Sequence, residues 1–174
     1  MKVLMLAPPG GGKGTQGVRL ASELGVPHIS SGDVLREEVA EDTELGREVK
    51  AHMAAGRLAP DELVSRAVLP VIARLDGYIL DGYPRTLAQA EGLAFDAVVY
   101  LDVGDEVVMR RLLARGREDD KADVIQERLR EYAEDTEPLI DHYRDVLVQV
   151  DGERDEDTIA ADLQTRLVRP QPPT

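Results

Sequence analysis

Short apolar runs alternate with longer stretches of helical period along the 174 residues. Val3-Leu4-Met5-Leu6, His28-Ile29-Ser30, Tyr78-Ile79-Leu80, Ala97-Val98-Val99-Tyr100-Leu101 and Val146-Leu147-Val148-Gln149-Val150 read as five strands. Their apolar character is continuous rather than alternating, as suits strands buried on both faces of a parallel sheet covered by helices. Helical period shows at Val18, Ala21 and Leu24, with Leu20 on the same side. It returns over Glu106–Ala114, over Val124–Tyr143 with an interruption at Pro138, and over Thr158–Val168, where Ile159, Leu163 and Leu167 share a face. Between the second and third strands the helical stretch is unusually long: Val34-Leu35 onwards, then Leu45, Val49, Met53, then Leu63, Ala67, Val71, broken at Gly56 and Pro60. One crossover helix would suffice there, so Ser31–Ala59 reads as an inserted helical arm. The end of the chain, 169–174, has little to pack with and is expected to be disordered.

Composition narrows the class. A chain of this length forms one domain with a sizeable core. Hydrophobic residues make up 43% and charged residues 32%, an ordinary globular balance. The formal net charge of −13 argues against a nucleic-acid or anionic membrane partner, so any positive charge for anions must be local. The absence of cysteine excludes disulfides and thiolate metal sites. No run approaches the roughly 18 apolar residues of a membrane span, and the N-terminus enters a strand without a signal-peptide core. The expectation is a cytoplasmic protein.

The chemistry starts at Ala7-Pro8-Pro9-Gly10-Gly11-Gly12-Lys13-Gly14-Thr15, between the first strand and the first helix. A glycine-rich turn there lets backbone N–H groups converge on phosphate, with the helix N-terminus and a Lys adding positive charge. The strict pattern G-x-x-x-x-G-K-[ST] fails twice: its first Gly falls on Ala7, and its Ser/Thr position holds Gly14, with Thr15 one place later. Gly14 removes the hydroxyl that ordinarily binds Mg²⁺, so the metal is expected to be held mostly by phosphate oxygens and water.

Arginine is distributed informatively for an acidic chain. Arg111 and Arg115 stand at i and i+4, Arg117 and Arg128 flank Glu118–Asp123, and Arg85 follows Asp81-Gly82-Tyr83-Pro84 just beyond the third strand. Ligands bind at the carboxyl ends of strands in an open α/β sheet. Loops there could gather Lys13 and these arginines around one anion; alternatively Arg111 and Arg115 form a solvated face with nearby acids. Asp81 suits a carboxylate holding Mg²⁺ directly or through water, or a turn residue; Asp33 suits the same water shell or a helix cap. His28, His52 and His142 carry no metal-ligand spacing, and no general base stands out. Phosphoryl transfer to another phosphate needs none, because the acceptor oxygen is already ionised.

Several motifs in order resemble the adenylate kinase family across essentially the whole chain. The glycine-rich loop resembles that family's G-x-P-G-x-G-K-G-T, including the Gly between Lys and Thr, with Ala7 the sole mismatch. Ser31-Gly32-Asp33-Val34-Leu35-Arg36 resembles its S/T-G-D-x-L-R segment, and Met53–Glu62 the end of its nucleoside-monophosphate arm. Asp81-Gly82-Tyr83-Pro84-Arg85-Thr86 with Gln89 resembles D-G-[FY]-P-R-T-x-x-Q. Arg117-Glu118-Asp119-Asp120 resembles the lid edge R-x-D-D, and Thr136–Ile140 resembles T-x-P-L-I.

The resemblance implies a P-loop nucleoside-triphosphate-hydrolase-like three-layer α/β fold. The core would be 1–30, 60–115 and 129–168, the arm 31–59 and a reduced lid 116–128. It implies the reaction Mg·ATP + AMP ⇌ 2 ADP, with Mg²⁺ as cofactor, no zinc, and a monomer whose partners are nucleotides. Lys13 and the loop Gly10, Gly11, Gly12, Gly14 and Thr15 would hold the ATP phosphates, with Arg111 against the ATP base. Arg36 and Arg85 would clamp the AMP phosphate, beside Gly82. Ser31 and Gln89 would face the adenine, and Met53, Arg57 and Ala59 would line the AMP site. Arg115, Arg117 and Arg128 would neutralise the transferring phosphoryl, held by Asp119 and Asp120. Ser31, Thr86 and Gln89 favour AMP over the alternative acceptors UMP and CMP; a non-catalytic adenine nucleotide sensor is the remaining alternative.

Two departures stand out. Ala7 is tolerable only if that position does not need positive φ. The lid is the larger one: only Gly116 separates Arg115 from Arg117, where long-lid members insert a small β subdomain. The expectation is a turn carrying Arg117 and Asp119-Asp120, with water excluded by arginine side chains and arm closure.

Overall fold

The computed structural model describes residues 1–54, 59–116 and 120–168. Five strands, β1 (Lys2–Leu6), β2 (His28–Ser30), β3 (Tyr78–Asp81), β4 (Ala97–Asp102) and β5 (Leu147–Asp151), form one parallel sheet in the order β2-β3-β1-β4-β5. The alternation of the pleat sorts the core. Val3 and Met5 face one side with Ile79, Val99 and Leu101, beneath α1 (Lys13–Leu24) and α9 (Glu156–Leu163). Leu4 and Leu6 face the other with Leu80 and Val98, beneath α4 (Asp61–Ile72) and α8 (Pro138–His142). Burial on both faces explains the continuous apolar runs. The sheet reverses direction about β1, which lies between β3 and β4. The crevice outside the carboxyl end of β1 is therefore the switch point where open α/β sheets bind ligands.

Details of α1, β5 and the inserted arm differ from the sequence reading. Val18 lies on the solvent side of α1 at 56% exposure; Leu20 and Ala21 form the buried face with Gln16 and Gly17. Val146 belongs to a 3₁₀ turn before β5 rather than to the strand. The arm breaks earlier than Gly56, into α2 (Ser31–Ala40) and α3 (Glu44–Ala54). Asp42 takes φ 52 at that break, and the Thr43 hydroxyl oxygen accepts the Gly46 N–H at 2.9 Å. The paired helices then approach closely, since a Cβ on Gly46 would lie 1.9 Å from the Glu38 carbonyl oxygen.

Beyond β4, α6 (Asp105–Arg115) packs on α7 (Ala122–Glu131) through a small separate cluster of Val108, Leu112 and Ile125. The helix after that cluster is interrupted ahead of Pro138, not at it. Pro138 has no N–H for the Glu134 carbonyl and its ring would clash there. The chain widens into a π turn over Tyr132–Thr136, with the Glu137 N–H on the Tyr132 carbonyl at 2.9 Å. α6 and α7 are joined by residues 116–121; of the stretch 116–128 expected to form a reduced lid, 117–119 lie outside the described residues and 122–128 belong to α7. The tail 169–174 lies outside them too.

Candidate active site

The loop after β1 turns because Gly10 and Gly12 take φ +74 and +95, leaving α1 to begin at Lys13. It is also tightly packed: a Cβ on Gly10 would lie 2.7 Å from the Leu112 side chain of α6. Ala7 is buried and does not have positive φ, so an alanine fits this position without strain. The Lys13 ammonium folds back over the loop, donating to the carbonyl oxygens of Ala7 at 2.9 Å and Pro8 at 3.3 Å. Burial lowers the Lys13 pKa to about 8; the Asp81 carboxylate opposes that fall, while Arg85, Arg128 and Arg115 reinforce it. Those same five groups come from four elements: α1, the end of β3 with its following loop, the end of α6, and α7.

Asp81 closes β3 opposite Gly14, whose Cβ would lie 3.8 Å from Asp81 Oδ2. On its other side His28 Nε2 stands 3.9 Å from the same oxygen, buried with no hydrogen-bond partner among the described residues. His28 is thus placed at the site by the register of β2 on β3, although its spacing in the sequence gave no such sign.

The loop after β3 presents Arg85. Gly82 takes φ +80 over the buried Ser31 hydroxyl; a Cβ there would lie 2.5 Å from Ser31 Oγ. The Tyr83–Pro84 bond is cis, and the Tyr83 ring is buried with its hydroxyl 3.0 Å from Ser65 Oγ. Arg85 Nε donates to the Gly82 carbonyl at 2.9 Å, while the Arg85 peptide is held at both ends. Its N–H donates to Gln89 Oε1 at 2.7 Å, and its carbonyl accepts from Thr136 Oγ1 at 2.8 Å. The π turn is what delivers Thr136 to that carbonyl. Asp61, the first residue of α4, accepts from both Thr86 Oγ1 and Gln89 Nε2 at 2.8 Å.

At the junction of α6 and α7, Arg115 makes a two-pronged ion pair with Asp120, at 2.8 Å from Nε and 2.6 Å from Nη2. The Asp120 side chain is completely buried, and Arg128 Nη1 stands 3.7 Å from the same carboxylate. Arg111 donates to the Gly152 carbonyl at 2.9 Å, beside the end of β5, so Arg111 and Arg115 do not share one solvated acidic face. In the arm, Arg36 pairs with Asp33, which holds the Asp33 carboxyl below its usual range. The cap of α2 is the Ser30 hydroxyl, accepting from the Asp33 N–H, rather than the Asp33 side chain. Ala59 and Thr15 are described and partly or fully exposed. Arg57, Arg117, Asp119 and the Met53 side chain lie outside the described residues.

Sequence reasoning missed Asp61, Thr136 and His28. The first two stood inside quoted motifs without a role, and only the folded chain shows that both converge on the Arg85 loop. A glycine-rich loop at the switch point, a lysine on it, and two further arginine groups brought to it from separate elements are the features of a P-loop phosphotransferase. The adenylate kinase family model matches residues 5–148. A protein named adenylate kinase from Nocardia farcinica is 48% identical, over 87% of this chain and 91% of its own length. Adenylate kinases from Corynebacterium glutamicum and Mycobacterium tuberculosis are 42% and 44% identical, over 92% and 87% of this chain. This chain belongs to the adenylate kinase family.

Proposed function

We propose that the protein catalyses Mg·ATP + AMP ⇌ 2 ADP by direct in-line transfer, with the two nucleotides meeting at the carboxyl ends of β1 and β3. The observation that carries this reading is the convergence on Lys13 and Asp81, at the carboxyl ends of β1 and β3, of Arg85, Arg115 and Arg128 from three separate elements. A set of cations fixed around one point in this way is suited to stabilising the charge of phosphate groups lying between them. The Gly10–Thr15 backbone and Lys13 receive the ATP phosphates, the lysine exchanging its loop carbonyls for phosphate oxygens. Arg111, anchored at Gly152, borders the ATP base. Arg85 and Arg36 receive the AMP phosphate, for which Arg36 leaves Asp33; guanidinium forks suit that task. Arg115 and Arg128, oriented by Asp120, neutralise charge as the phosphoryl group passes; Arg117 and Asp119 are assigned to the same lid edge.

The donor set fits Mg²⁺ held through water. Asp81 faces Lys13 and Gly14, and no three His, Cys, Asp or Glu residues among those described cluster as a protein-only metal cage. Asp81 would hold the ion's water shell, with Asp33 at its margin, and the ion would supply charge neutralisation on the phosphates. We assign Ser31, Met53, Arg57, Ala59, Gly82 and Gln89 to the AMP side. We read the protein as a cytoplasmic monomer; none of the described helices is long and apolar enough to cross a membrane. ADP formation from ATP with AMP, UMP and CMP at equal concentration tests the reading. AMP should be strongly preferred, and AMP no better than UMP or CMP would overturn it.

A further inference from the structure

We infer that Asp61 is a positioning residue that fixes the polarity of the Gln89 amide, and with it the choice of adenine in the acceptor. This rests on the AMP reading of the Gly82–Gln89 loop. Asp61 belongs to α4, at the foot of the inserted arm, while Gln89 lies 28 positions later in α5 (Leu87–Ala90). A carboxylate only accepts hydrogen bonds, so the Gln89 end that meets Asp61 Oδ1 at 2.8 Å must be its NH₂. The opposite end must then be Oε1, and it accepts the Arg85 N–H at 2.7 Å. Thr86 closes the arrangement: its hydroxyl donates to Asp61 Oδ2 at 2.8 Å and accepts the Gln89 N–H at 3.2 Å.

Gln89 is buried at 7% exposure, so its amide is not free to turn in solvent. One N–H and one lone pair are committed to the protein, which leaves one N–H and one lone pair in a fixed order. Adenine offers an N6 donor beside an N1 acceptor. Hypoxanthine offers an O6 acceptor beside an N1 donor, the reverse order, which a turned amide would match. Asp61 and the Arg85 N–H together forbid that turn. Because Asp61 stands where the arm rejoins the core, the same carboxylate ties the arm's foot to the loop that carries Arg85.

Asp61→Asn keeps the shape and leaves the Arg85 N–H alone to enforce the polarity, because an asparagine can offer either a donor or an acceptor to Gln89. We expect KM for AMP to rise about tenfold, with KM for ATP within about twofold and the melting temperature nearly unchanged. The ratio of kcat/KM for AMP over IMP should fall. Thr86→Val, which removes one of the two donors to Asp61, should move the same quantities in the same direction by less, and serves if Asp61→Asn folds poorly. An unchanged AMP:IMP ratio in both variants, or parallel rises of KM for AMP and ATP, would overturn the role of Asp61. A wild-type enzyme that does not distinguish AMP from IMP would instead overturn the AMP reading of the loop, and this inference with it.

Discussion

The methyl group of Ala7 occupies the space that a side chain on Gly11 would need: a Cβ built on Gly11 lies 2.7 Å from the Ala7 Cβ and 2.9 Å from the Pro8 carbonyl oxygen. The two residues sit on either side of the Pro8-Pro9-Gly10 turn, closed by the Gly11 N–H on the Pro8 carbonyl at 2.9 Å. An alanine at position 7 is therefore compatible with the phosphate loop, on the condition that position 11 stays glycine.

Gly11→Ala should displace the loop and cost about 1–3 kcal/mol in stability. ATP KM should rise with it, because the same backbone presents the phosphate-binding N–H groups. Ala7→Gly should cost only about 0.4–1 kcal/mol, through the freer unfolded chain, and leave ATP KM nearly unchanged. Chemical denaturation and initial-rate kinetics on the two variants check this pair of outcomes.

ATP binding should take up protons at alkaline pH. In the free enzyme Lys13 has a pKa of about 8, lowered mainly by burial, so above that pH a large share of it is neutral. Phosphate favours the charged form and raises the pKa again, so affinity falls as pH rises through about 8 and is insensitive to this group well below it. Titration calorimetry at pH 8.5 in buffers of different ionisation enthalpy reads the uptake directly. Lys13→Arg, which stays charged, should abolish the uptake. For the free protein the sign follows from the same shift. Between about 8 and the ordinary lysine value of 10.5 the unfolded chain binds more protons than the folded one, so this group's contribution to stability rises with pH there.

Asp120→Ala should destabilise the junction of α6 and α7 by about 1.5–3 kcal/mol, the usual loss for hydrogen bonds to a charged group. The partner arginines are about 30% exposed, at 32% for Arg115 and 28% for Arg128, so both can reach water once freed. The kinetic effect should be larger than the thermodynamic one and fall on kcat, because arginines assigned to the transferring phosphoryl lose their orientation. A drop in stability with unchanged kcat would show that the pair serves the fold alone.

Thr136→Val should raise KM for AMP several-fold with little effect on KM for ATP, by releasing the Arg85 carbonyl. Initial rates with each nucleotide varied in turn check this, and equal effects on both would place the contact in general stability instead.

The five strands and the phosphate loop were legible because burial on both faces leaves continuous apolar runs, and because glycines before a lysine have a direct backbone reason. What stayed hidden was set by long-range contact. The turn at Asp42, signalled only by Asp42-Thr43 ahead of an apolar period, splits an arm that reads as one stretch up to Gly56. The π turn follows from Pro138, yet its consequence, Thr136 on Arg85, spans 51 positions. Val18 has the spacing of a core residue and faces solvent, because α1 meets the sheet through Leu20, Ala21 and the close approach of Gly17 to His28. Asp61 is an ordinary first-turn helix acid by sequence, and only the fold brings Thr86 and Gln89 to it.

The central claim is transfer between two nucleotides rather than hydrolysis of one. Phosphorus NMR of the purified protein with Mg·ATP and AMP tests it most directly. Two ADP should form for each ATP and AMP consumed, with inorganic phosphate a minor product. Inorganic phosphate formed in step with ATP loss while AMP stays untouched, or ATP bound with no turnover, would contradict it.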